Sequence, residues 1–86
     1  MPRVSEFYGI VIAMFYNDHE PPHFHAIYGE FQAIVGIDPV AVMRGELPSR
    51  ASNLVREWAT QHRDELFANW ERAREHAALQ RIAPLE

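Results

Sequence analysis

The stretch His23-Phe24-His25-Ala26-Ile27-Tyr28-Gly29-Glu30-Phe31-Gln32-Ala33-Ile34-Val35-Gly36-Ile37 decides the fold. Gly29-Glu30 is a tight connection between a strand that begins near His23 and an alternating strand over 31–37, and such a pair reads as an antiparallel hairpin. Upstream, Phe7, Val11 and Phe15 on one parity and Tyr8, Ile10, Ile12, Met14 and Tyr16 on the other make 4–16 apolar on both faces. That pattern predicts one central strand covered on both sides. Asn17-Asp18-His19-Glu20-Pro21-Pro22 between the two is a turn, because Asn and Asp favour turns and the prolines stiffen the backbone. Downstream, Asp38-Pro39 breaks the strand, and Val40 to Met43 is a candidate fourth strand at an edge.

After Gly45 the apolar period lengthens from two to between three and four. Pro48-Ser49 is a helix-start signal with Ser49 as the expected cap, and Leu54, Val55, Trp58, Ala59, Leu66, Phe67, Trp70 and Ala73 recur at helical spacing. A continuous helix over 49–76 would be about 40 Å long, too long for so small a sheet. A break near Gln61 to Asp64 is therefore expected, with Asp64 capping the second piece. The expected architecture is an α+β domain: an antiparallel meander of three to four strands (about 4–44), then one broken helix or two helices (about 49–76) packed on one face. The tail over 77–86 is expected to fray.

A chain of 86 residues and 10.0 kDa holds one domain, 1–86. Domains this small bury only about 60–65% of the surface that the unfolded chain exposes, so a metal or a partner would add needed stability. The absence of cysteine excludes disulfides, thiolate nucleophiles and Cys-type zinc sites. The longest apolar run, Phe7 to Tyr16, has ten residues, against the roughly 18 or more that a membrane span requires. Glu6 close behind Arg3 does not fit a signal peptide, so a cytoplasmic location is expected. The net charge is −4, and all eight basic residues are arginine. Residues 1–46 hold six acids against Arg3 and Arg44, which disfavours nucleic acid as the ligand of that half.

The chemistry concentrates in Asp18-His19-Glu20-Pro21-Pro22-His23-Phe24-His25. Residues two apart on a strand share a face, so His23 and His25 point one way and Phe24 points into the core. Those two imidazoles, with His19 on the proline-braced loop, suit zinc, nickel or copper, and Asp18, Glu20 or Glu30 can add an oxygen. Such a set leaves a coordination position open for a Lewis-acid or water-activating role. Without metal, His23, His25 and Asp18 suit general acid–base catalysis. A purely structural alternative places both histidines on the solvated face of an edge strand, with Asp18 accepting backbone donors in its turn. His62 and His76 fall in the helical region and read as surface residues. Ser5, Ser49 and Ser52 lack a nucleophile-elbow context. Arg50 and Arg56 are candidate anion or partner contacts near the helix start, or part of a solvated helix face.

Met1-Pro2, Phe7-Tyr8-Gly9-Ile10, the Asp-His-x-Pro-Pro-His-Phe-His motif at 18–25, Tyr28-Gly29-Glu30, Gly45 to Arg50, Glu57-Trp58 and Asn69-Trp70 together resemble a small bacterial family, the domain of unknown function 4160. The likeness runs to about residue 73. Asp38-Pro39-Val40-Ala41 departs from it, since the family usually has a Gly-containing turn there, and Ser52 and Asn53 replace a more apolar helix face. Genes of this family resemble halves of two-gene modules similar to toxin–antitoxin pairs. The resemblance thus implies a partner-binding component, whose partner is a small protein from a neighbouring gene or a second copy of the chain. The alternative is a small hydrolase or ribonuclease that uses His19, His23 and His25, with or without a divalent metal such as zinc or nickel.

Overall fold

Tyr8 and Gly9 turn the chain back on itself. Both have positive φ (50° and 79°), the conformation of the two-residue turns that match the twist of a hairpin. The computed structural model, which describes residues 2–86, therefore has two strands where the apolar run predicts one: β1 (Arg3–Phe7) and β2 (Ile10–Ala13). Tyr8 hides the turn from a hydropathy reading, because it is large and aromatic yet 59% exposed. β3 (His23–Tyr28) and β4 (Phe31–Gly36) form the expected hairpin around Gly29-Glu30. The last strand, β5 (Val42–Gly45), begins two residues later than the candidate at 40–43 and pairs with β4 through a bulge. The sheet is a five-stranded antiparallel meander, β1-β2-β3-β4-β5, rather than one of three or four strands.

Two helices follow, α1 (Ser49–Gln61) and α2 (Arg63–Arg74), so the fold is α+β with the helical part divided. The break falls at His62, whose φ of −118° and ψ of 27° end one helix and start the next. Neither predicted cap acts as one. Pro48 holds the N-cap of α1, with Ser49 as the first helical residue, and Asp64 lies inside the first turn of α2, where a carboxylate still favours the helix dipole.

One face of the sheet and the helices share a single core. Trp58 of α1 is fully buried, with its ring centroid 5.3 Å from that of Phe7 and 5.8 Å, edge-on, from that of Phe24. Truncating such a residue to Ala typically costs about 3–5 kcal/mol. The expected fraying of 77–86 does not occur: Ile82 and Leu85 are buried in the same core. The Ile82 N–H donates to the Val4 carbonyl (2.7 Å), and Trp58 Nε1 donates to the Ala83 carbonyl (2.8 Å). Asn69 clasps the backbone of Gln80 in both directions, accepting its N–H at 2.9 Å and donating to its carbonyl at 2.8 Å. The tail thus acts as a strap across β1 and both helices. Among the described residues no helix is long and apolar enough to cross a membrane.

Candidate functional site

β3 is the middle strand, so the histidine pair does not lie on a sheet edge as the structural alternative required. Phe24 faces the core as expected. His23 is also buried, at 6% exposure, with its ring 5.1 Å from that of Trp70 of α2. His25 packs edge-on against Phe15 at 4.5 Å. These apolar walls hold both imidazoles in fixed orientations.

The 17–22 turn brings Asp18 over the two rings. Its Oδ2 lies 2.9 Å from His23 Nε2 and 3.2 Å from His25 Nε2, and its Oδ1 accepts the backbone N–H of His19 at 3.0 Å. Burial of the carboxyl works against its charged form. The hydrogen bond from His25, that from the His19 N–H, and the charge and hydrogen bond of His23 outweigh it and hold Asp18 below the usual carboxylate range. Asp18, His23 and His25 each offer a donor atom, all within 4.8 Å of one another.

The roles of the ring nitrogens follow from their partners. His23 Nδ1 is 2.8 Å from the Pro21 carbonyl, which can only accept, so Nδ1 carries a proton. A neutral imidazole then presents a lone pair at Nε2, and this faces a carboxylate oxygen, a second acceptor. Only a further proton on Nε2 or a cation between the two groups reconciles them. A carbonyl bond on the far nitrogen is the usual support of a metal-ligating histidine. On His25, Gln32 Nε2 approaches Nδ1 at 3.4 Å, which leaves Nε2–H to donate to Asp18. A half-turn of the Gln32 amide would exchange donor for acceptor and release the Nε2 lone pair.

The remaining candidates separate from this group. His19 shares the adjoining cavity, about 220 Å³, with Asp18 and His23, but its ring stands outside the three-residue cluster. Glu20 turns outward to Arg74 at 3.5 Å. Glu30 occupies the β3–β4 turn, at the other end of β3 from His23. His76 stacks on Tyr16, while His62 is partly covered, lying beside Trp58 and bonded to Glu65 at 2.6 Å. Arg50 lines a second cavity, of about 250 Å³, with Tyr8 and Tyr28, and Arg56 is exposed and does not line it. The opposite wall of the histidine cavity is built by Ile34, Met43 and Arg44. Arg44 was not among the residues singled out by sequence, because its placement depends on the β4–β5 register.

The family described as domain of unknown function (DUF4160) matches residues 9–71, which include the β2–β3 and β3–β4 connections, the whole Asp-His-x-Pro-Pro-His-Phe-His motif and most of both helices. The chain belongs to this family. Within the matched region lie all three clustered side chains, Arg44 and the Trp70 wall, whereas the strap that Asn69 fastens lies beyond it. No curated protein and no solved structure matches the chain.

Proposed function

We propose that this DUF4160 protein is a small metal-dependent enzyme of the hydrolytic type, with zinc or nickel held by Asp18, His23 and His25. The observation that carries the reading is the convergence of Asp18 Oδ2, His23 Nε2 and His25 Nε2, with the His23 ring anchored through Nδ1 to the Pro21 carbonyl. Ligands about 2.1 Å from a tetrahedral zinc stand about 3.4 Å apart. Asp18 Oδ2 lies 2.9 and 3.2 Å from the two imidazole nitrogens and the three donor atoms all lie within 4.8 Å of one another, so small adjustments of the side chains would admit the ion. Three protein ligands leave one position for water, which a bound divalent ion would acidify toward neutral pH. His19, at the cavity wall, is then a proton carrier next to the site rather than a ligand. The test is metal content by elemental mass spectrometry on protein purified without chelator or His-tag, beside the His23→Ala/His25→Ala variant. Near one equivalent in the parent and none in the variant is the expected result. A folded parent without metal after incubation with zinc or nickel would overturn it.

A second reading, partner binding within a toxin–antitoxin-like module in the cytoplasm, is favoured by a different observation. Tyr8, Tyr28 and Phe31 are exposed around the two neighbouring turns, at the end of the sheet away from His23, with Arg50 beside them. Exposed aromatics with an arginine are the side chains enriched at protein interfaces. Co-purification with the product of the neighbouring gene, lost in Tyr8→Ala/Tyr28→Ala, supports this reading. A monomer that retains no such product contradicts it.

A further inference from the structure

One row of the sheet runs from the histidine cluster across to Arg44 on the cavity wall. His25 pairs with Ile34, and Ile34 pairs with Arg44. Residues directly opposite one another on neighbouring strands share a face, so His25, Ile34 and Arg44 all project on the face that carries Asp18.

Arg44 reaches that face because of the bulge. Val42 pairs with Val35, and an unbroken ladder would then pair Met43 with Ile34 and Arg44 with Ala33, which belongs to the buried core. The bulge advances β5 by one residue, and a one-residue shift moves every side chain to the other face. Gly45 takes the place opposite Ala33 instead. Its φ is +74°, and a Cβ there would lie 2.2 Å from the Gln32 carbonyl oxygen, so that position accepts little but glycine.

The charges on the cavity wall leave Arg44 available. Glu20 is engaged by Arg74 and Asp18 by the histidines, while Arg44 makes no ion pair among the described residues. Two strand spacings put the Cα atoms of His25 and Arg44 about 10 Å apart, a gap in which a small molecule can touch both the histidine cluster and a guanidinium. With a divalent ion bound, the cavity is net positive.

From this geometry we propose that Arg44 makes the cavity an oxyanion site: the substrate is a small molecule bearing a carboxylate or phosphoryl group that the guanidinium grips by its fork. The proposal rests on the metal reading above and adds the ligand class. A planar guanidinium suits either group, because both present two oxygens to parallel N–H donors.

The experiment uses full-length protein loaded with cobalt(II), whose visible spectrum reports ligand entry, titrated separately with inorganic phosphate and acetate. Saturable spectral change with one or both anions is expected, and the anion that binds more tightly identifies the group. Arg44→Gln should bind one equivalent of cobalt as before, melt at the parent's temperature, and weaken the preferred anion about tenfold or more. Arg44→Lys, which keeps the charge and loses the fork, should fall between. Unchanged anion affinity in Arg44→Gln, or no anion response in the metal-loaded parent, overturns the oxyanion site while the metal site stands. A parent that takes up no cobalt overturns both.

Discussion

His23 directs Nε2 at Asp18 Oδ2 across 2.9 Å while its Nδ1 is committed to the Pro21 carbonyl. The contact is more than a surface ion pair. His23 is walled by Trp70, and the sheet places His25 beside it, so the carboxylate and both rings are held by packing as well as by charge.

The Asp18 carboxyl contributes pH-dependent stability to the metal-free protein. Its folded value lies below the 3.8 of an unperturbed Asp, so the charged form favours the folded state. That contribution is complete above the unfolded value and is lost as pH falls through the lower folded one. In the presence of chelator, urea unfolding should show parent and Asp18→Asn separated at about pH 6 and converging below about pH 4. A separation that stays constant down to about pH 2 would mean that the carboxylate is not favoured by its surroundings.

Asn69 should matter to stability far more than its polarity suggests. It is fully buried and makes two hydrogen bonds to Gln80, with Arg72 donating to its Oδ1 at 3.0 Å. Asn69→Ala would leave the Gln80 backbone groups without partners and should cost about 2–3 kcal/mol in chemical denaturation. Hydrogen exchange at the Ile82 N–H should accelerate in the same variant, because release of the strap exposes its bond to Val4. Unchanged protection there would show that the tail is held by Ile82 and Leu85 alone.

Gly45→Ala tests the bulge. The added Cβ meets backbone at 2.2 Å and the residue has φ +74°, so β5 must shift rather than a side chain move aside. A loss of about 2 kcal/mol or more is expected, together with altered amide chemical shifts across 42–45. A variant as stable as the parent with unshifted β5 amides would contradict the register that places Arg44.

Much of this was legible in the sequence, and the failures have physical causes. The 23–37 hairpin and the shared face of His23 and His25 follow from periodicity and turn chemistry, and the helix break near 62 from the length of an unbroken helix against so small a sheet. The β1–β2 turn was hidden because Tyr8 continues the apolar alternation at a place where the backbone, helped by Gly9, has already reversed. The tail reads as frayed because Ile82 and Leu85 are isolated apolar residues near a proline, and the groups that hold the segment, at Val4, Trp58 and Asn69, are distant in sequence. At the site, Asp18, His23 and His25 were readable from spacing, whereas the displacement of His19 from the cluster depends on how the 17–22 turn folds over the sheet. Arg44 carried no sequence signal, since a bulge changes the face of a residue without changing its pattern.

The most direct test of the central claim is X-ray absorption at the zinc edge on the zinc-loaded, tag-free protein. The account predicts four nitrogen or oxygen ligands at about 2.0–2.1 Å with the outer-shell scattering of two imidazoles, falling to one imidazole in His25→Ala. A shell of water and carboxylate oxygens with no imidazole scattering, or a spectrum unchanged by His25→Ala, would contradict it.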